Sequence, residues 1–550
     1  MPGPVTYWNT LRYLKPVQVY GRLRLNLKRP LIENRPPPPL RNVHHDLWVR
    51  PAGRRPSLLG AERLSFLNQT HELNACGWDD PAIDKLWRYN LHYFDDLNAY
   101  NAAERQQWQQ QLLSRWVKDN RPGEGTGWDP YPTSLRIVNW IKCALGGHPL
   151  SVECAESLAV QARWLIRRLE THLLGNHLFV NAKALIFAGA FFRGGEADVW
   201  LSEGLRILRH EVEEQILADG GHFERSPMYH SLILEDLLDL INLSRVCSHM
   251  SDATRNECAR SWCHTAHDMR TWLWAMCHPE GEISFFNDAA FGVAPKPAEL
   301  EAYAARLGLP PLNVPEDGVT HLAESGYIRL QSDAAVALLD VSPVGPDYIP
   351  GHAHADTLSF ELSLFGQRVF VNSGTSCYGE GVERLRQRGT AAHNTVEIDG
   401  RNSSEVWGGF RVARRARPFG LAIEKGNTSV RIRCAHNGYV RLLRKQIHWR
   451  EWTMSDTELC VDDHITGPFE GAVARLHLAP DAKVCIEHAK SGKTGHIELA
   501  GGQSLNWSVE GATPSIESST YHSEFGVAQP NACLKMVFTA PRSTVRLSWK

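Results

Sequence analysis

The chain has 550 residues, with 59 Lys plus Arg against 61 Asp plus Glu, 25 His and 9% aromatic residues, 18 of them Trp. That length leaves room for two or three domains with large cores, and the charge balance excludes a general electrostatic pull towards nucleic acid or anionic surfaces, so any polyanion has to be recognised locally. Twelve cysteines without a CxxC pair exclude a zinc finger or a small disulfide scaffold. With no signal-peptide core and no stretch of transmembrane length, the expectation is a soluble cytoplasmic protein without membrane insertion.

In chain order, residues 1–45 are basic and aromatic and close with "ENRPPPPLRN", whose four prolines stop regular structure and force an extended spacer. This segment reads as an N-terminal arm. Residues 46–315 read as a helical domain in which the apolar period is helical from about 80 to 310: Trp108, Leu112 and Trp116 repeat every four residues, and Leu158, Ala162, Leu165 and Leu169 continue the pattern. Further helical runs fall near 177–192, 199–217, 231–247 and 262–277, which predicts stacked helical hairpins in a bundle or toroid. After the proline-rich joint "LGLPPLNVPEDGVT" the period becomes two, as in "YIRLQSDAAVALLDVS" and "TLSFELSLFGQRVFVNSG". Helices first and strands afterwards predict a multidomain α+β protein with an antiparallel β-sandwich over 316–550.

Three polar clusters stand out. "GNHLFVNAKALIFAG" puts Asn176 and His177 at a helix start, where Asn also serves as an ordinary cap. "DGGHFERSPMYHSLILEDLLDL" supplies His222, Glu224, Arg225, Tyr229 and His230 before another helix. "GHAHADTLSF" through "RLRQRGTAAHNTVEIDG" offers His352, His354, Asp356, Asn372 and His393. In a regular strand His352 and His354 would share a face and could bind one metal, with His393 as a third ligand. No nucleotide-binding glycine loop, GxSxG elbow or HExxH helix occurs, and no organic cofactor is expected.

Taken together and in this order, these motifs resemble the heparinase II/III-like polysaccharide lyase family. "YWNTLRYLKPVQVYGRLRLNL" and "WRYNLHYFDDLNAY" further resemble its exopolysaccharide- and capsule-associated branch. The resemblance implies an incomplete α/α toroid followed by an antiparallel β-sandwich, and β-elimination on an acidic, uronate-containing polysaccharide. It implies Asn176 as the donor that neutralises the sugar carboxylate, Tyr229 as acid (or both acid and base) and His352 as base, with His177, His222, Glu224 and Arg225 as candidate substrate contacts, of which His177, His222 and Arg225 are also candidate neighbours that tune the tyrosine. By analogy with toroid lyases, Trp128, Tyr131 and Arg136 line a groove wall. Arg384, Arg386 and Arg388 are candidate contacts to the polymer, or a solvated basic face. His354, Asn372 and His393 match ligands of a structural divalent ion, zinc, calcium or manganese. Asn372 stands where many relatives have Asp, and its neutral amide weakens that site.

A uronyl C5-epimerase shares the fold and the first proton abstraction. A catalytically silent glycan-binding protein is the alternative from another class. A hydrolase needs two carboxylates flanking the bond, a pairing this spacing does not supply.

Overall fold

The computed structural model describes residues 3–550 apart from 28–29, 43, 247–251, 316 and 488–492. Helices dominate as far as Pro297–Arg306, interrupted by the short hairpin Arg63–Phe66 with Gln69–Glu72, and strands take over from Gly318–Leu322 onward. The helical part is built on hairpins such as Gly175–Phe191 with Gly195–Gln215. Gly175–Phe191 is apolar on nearly every face and almost wholly buried, as a helix at the centre of a helical domain must be. Its partner approaches closely because Gly189 and Gly204 carry no side chain: a Cβ on Gly189 would lie 2.5 Å from the Leu201 amide nitrogen.

Buried charge ties the helices together. Lys183 on Gly175–Phe191 donates to Asp236 and Asp239 of Pro227–Val246, each at 2.6 Å, and Lys142 of Pro130–Leu145 reaches Asp239 at 2.9 Å.

The strands form three main antiparallel sheets, of eight, four and five strands. The five-stranded sheet runs in sequence order from Gly318–Leu322 to Gln367–Phe370. Its strand Ala335–Asp340 is buried at every position. One side, with Val336 and Leu338, packs on Trp272, Met276 and Phe286 of the helical part, while Ala337 and Leu339 face the sandwich core. By contrast, Ile447–Ser455 in the eight-stranded sheet alternates between buried and half-exposed residues, the pattern of a sheet with one wet face.

Within the N-terminal arm, residues 1–45, two segments are helical. Pro4–Leu11 (α1) and Pro16–Leu27 (α2) are helices, and Pro at N1 pre-sets the helical φ in both. The tetraproline spacer is extended, as expected, and is held by Arg163, which donates to the carbonyls of Arg35 at 2.7 Å and Pro36 at 2.9 Å.

Arg450 sets the end of the loop that precedes strand Phe360–Leu364. It donates to the Leu358 carbonyl at 2.7 Å and to the Asn394 carbonyl at 2.6 Å, and pairs with Asp463 at 2.7 and 2.8 Å. Burial opposes charge on Asp463, yet Arg450 and His448 hold its carboxyl well below the usual carboxylate range. A depressed carboxyl contributes stability that is present above the unfolded value of about 3.9 and is lost as pH falls through the folded one. Asp463→Ala, which strands the Arg450 charge, is expected to cost about 3–5 kcal/mol in urea unfolding at neutral pH. The gap to the parent protein should narrow in acid.

Candidate active site

The polar clusters meet in a cleft between the helical part and the strands. Leu174 and Gly175 both have positive φ and start the helix that presents Asn176. The missing Cβ of Gly175 is where Glu224 sits, since a built Cβ would lie 2.8 Å from its Oε1. The Asn176 amide donates to Glu224 Oε2 at 3.3 Å, and that same oxygen lies 3.7 Å from His352 Nε2. Burial raises the Glu224 carboxyl. The rings of Tyr229 and His352 stack, with centroids 3.8 Å apart and planes 28° apart.

Residues 351–359 form a loop, not the regular strand that would have put His352 and His354 on one face. Arg388 makes the bend: it donates to the Ala353 carbonyl through Nε at 3.0 Å and Nη2 at 2.9 Å. His352 faces the cleft half-buried, while His354 is fully buried. One carboxylate nevertheless serves both rings. Asp288 Oδ2 accepts from His352 Nδ1 at 2.9 Å and Oδ1 from His354 Nε2 at 2.8 Å, and Arg384 pairs with both oxygens. The Asp288 amide also donates to the His352 carbonyl at 3.0 Å. Although burial opposes its charge, Arg384 and the two imidazoles hold the Asp288 carboxyl well below its usual range.

A carboxylate can only accept, so both rings carry their proton on the nitrogen that faces Asp288. In the neutral ring, His352 Nε2 is the lone pair that faces the cleft. His354 Nδ1 is a lone pair too, and it faces His393 Nε2 at 3.2 Å. His393 Nδ1 lies 3.1 Å from Asn372 Oδ1, which the Asn394 amide identifies as the oxygen by donating to it. Two lone pairs therefore point at one another. Burial pushes His354 down to about 4 and His393 to about 3, so near neutral pH no proton settles between them. A cation there would relieve the conflict, and Asp356 completes a buried set whose ligand atoms lie within 4.8 Å. Two imidazoles and a carboxylate are a donor set that zinc accepts. Asn372, expected among the ligands, stands behind His393 and orients it.

Several expected substrate contacts are instead packing. Trp128 is buried between Trp116 and Trp164, and Arg136 lies 3.8 Å over the Trp116 ring and donates to Gln161 at 2.9 Å, so neither forms a groove wall. His222 is buried, with Nε2 3.0 Å from Gln215 Oε1, and Arg225 donates to the Ser325 carbonyl at 2.8 Å across the domain boundary. Neither is hydrogen-bonded to Tyr229. Arg388 is fully buried on the Ala353 and Gly408 carbonyls, away from any polymer. His177 and Tyr131 are half-exposed near the cleft with ring centroids 4.6 Å apart. Burial opposes charge on His177, but Glu170 at 3.1 Å outweighs it and raises the imidazole.

The sequence reading missed Asp288, Arg384 as its partner, and Tyr378, whose hydroxyl lies 2.7 Å from that of Tyr229. Burial first, then Tyr378, pushes the Tyr229 phenol well above its ordinary value. No spacing marks "FFND" or "SCYG", because these residues act only once the two parts of the chain meet.

This is the two-part architecture, helical then antiparallel β, with a polar cleft at the junction. The model of the heparinase II/III N-terminus matches residues 78–295 and that of the heparinase II/III-like C-terminal region matches 315–550; the chain belongs to the heparinase II/III-like family. A heparin-sulfate lyase of Bacteroides stercoris is 28% identical over 252 residues, 42% of this chain and 37% of that one, so the match spans well under half of that relative. FtsZ-localized protein C of Caulobacter vibrioides is 22% identical over 96% of this chain and 92% of its own. A crystal structure of heparinase III, 18% identical, superposes with a TM-score of 0.68 over 86% of this chain and 79% of that one, a likeness of fold.

Asp288→Asn is expected to destabilise the protein by about 3–5 kcal/mol in urea unfolding, because Arg384 becomes an uncompensated buried charge. Adding Arg384→Met should recover a large part of that loss.

Proposed function

We propose that the protein is a polysaccharide lyase that cleaves an acidic, uronate-containing glycan by β-elimination. The observation that carries this reading is the convergence of Asn176, Tyr229 and His352, from separate elements, on one cleft. The heparin-sulfate lyase relative points to the same class of substrate.

In this reading Asn176 donates to the sugar carboxylate, because the C5 proton becomes acidic only when that group's charge is offset, and a preorganised donor does so without reorganisation. Burial shifts Glu224 towards its neutral form, which lessens its repulsion of an anionic sugar beside Asn176. His352 removes the C5 proton through Nε2, whose lone pair is fixed by the Nδ1–H bond to Asp288. The electron pair passes through the enolate-like intermediate and expels the C4 oxygen, which Tyr229 protonates. A phenol held above its ordinary value stays protonated at neutral pH, which favours Tyr229 as acid over base. Two stacked rings bring both groups within reach of one sugar.

The pocket of His354, Asp356 and His393 would hold a divalent ion, zinc by its donor set. Bound there, the ion supplies positive charge and cross-links loop 351–359 to the segment that carries His393, outside the path of the proton.

Asn176→Ala is expected to lower kcat about 10²–10³-fold and Tyr229→Phe about 10²–10⁴-fold, measured as ultraviolet-absorbing unsaturated product on a panel of uronate polymers. If no polymer gives that product while solvent deuterium enters C5, the enzyme is an epimerase. If neither occurs and Tyr229→Phe leaves glycan binding intact, it is a binding protein. Zinc at a hundred times its Kd should stabilise the protein by about 2.7 kcal/mol, and His393→Ala should abolish that gain.

A further inference from the structure

The arm is the one motif of the sequence that the cleft does not absorb. Among the described residues, nine of the large apolar side chains that are exposed fall between Val5 and Leu31, and the others are scattered over the remainder of the chain. On α2 the exposed set is Val19, Tyr20, Leu23 and Leu27, with exposures of 51, 58, 59 and 81%. At 100° per residue these four fall within about 100° of arc. Arg22 and Arg24 are exposed and flank that stripe, one on each side. α1 repeats the arrangement with Val5, Trp8 and Leu11, spaced i, i+3 and i+6, and Trp8 is 67% exposed.

The stripe is not a consequence of a loosely attached helix. The opposite face of α2 is docked: Gly21 lies against His172, Gln18 donates to the Tyr348 carbonyl at 3.1 Å, and Lys15 at its N-terminal end pairs with Glu214 and sits 3.8 Å over the Tyr348 ring. α1 is fastened to the strand part, where Trp407 donates to Thr10 at 3.0 Å and Tyr7 packs edge-on against Trp407. The arm therefore bridges both parts of the chain beside the cleft, with an apolar face turned outward.

Exposed apolar faces of this size on a folded protein mark contact surfaces. The charge selects the occupant. The first 32 residues hold six Lys or Arg and no Asp or Glu, whereas the whole chain is nearly neutral. A Trp- and Leu-bearing stripe flanked by arginines matches the boundary of an anionic bilayer, where apolar side chains enter the acyl region and the guanidinium groups meet lipid phosphates.

We propose that α1 and α2 dock the protein on an anionic membrane surface, lying on the bilayer and not crossing it, with the cleft at the flank of the contact. The surface is separate from the catalytic residues, so the proposal stands whether or not the lyase reading does.

The test is co-sedimentation of the full-length protein with large vesicles, of phosphatidylcholine alone or mixed with phosphatidylglycerol. Binding to the anionic vesicles at least about tenfold stronger than to the neutral ones, weakening as salt rises, is expected. Val19→Glu with Leu23→Glu, and separately Arg22→Glu with Arg24→Glu, should each remove it at an unchanged melting temperature, since all four side chains are exposed. Absence of binding to anionic vesicles, or full binding by the Val19→Glu, Leu23→Glu variant, overturns the proposal. So does a vesicle-independent dimer that this variant dissolves, which would assign the face to a second copy of the chain.

Discussion

The cleft depends on one buried carboxylate. Asp288 comes from the helical part, and its partners His352, His354 and Arg384 come from the strand part, so the pairing of the two parts and the orientation of the candidate base are one interaction. Burying an ion is costly unless it is matched, and here a guanidinium and two imidazole N–H groups match it. The immediate result is tautomeric: with Nδ1 of His352 committed to Asp288, the reactive lone pair can only be Nε2.

Burial then divides the remaining roles. Tyr229 and Glu224 are pushed towards their neutral forms by burial, while Asp288 stays ionised because of its partners. The elimination proposed above, which needs a sugar carboxylate accepted beside a base and an acid, would benefit from this separation. The same committed protons leave His354 and His393 facing each other through lone pairs, which links the metal candidate to the base through Asp288, although His352 itself ligates nothing.

Much of this was legible in the sequence. The change of period near 315 separates helices from strands because side chains on a helix and on a strand repeat differently, and Asn176, Tyr229 and His352 stand in motifs dense enough to be noticed. What failed did so for physical reasons. Trp128, Arg136, His222 and Arg388 have polar or aromatic groups that read as ligand contacts, but a large core also consumes such groups, with their hydrogen bonds satisfied by carbonyls and amides. The HxH pair looked like one strand face, and Arg388 bends the chain at Ala353 so that it is not. Asp288 and Tyr378 carried no periodic signal, because their importance arises from contacts 64 and 149 residues distant in sequence. The N-terminal helices were masked by the prolines around them, which begin helices as readily as they end them.

The shared carboxylate also changes how substitutions here would combine. Asp288, Arg384, His352 and His354 form a single hub, so the energy of removing any one is borne partly by the others. Their pairwise couplings in thermodynamic cycles will be large, and the individual losses will not sum to the loss of the whole. For a lineage of such proteins this makes the hub an epistatic block: its members can be exchanged together or retained together, and a single replacement is the least tolerable route between the two.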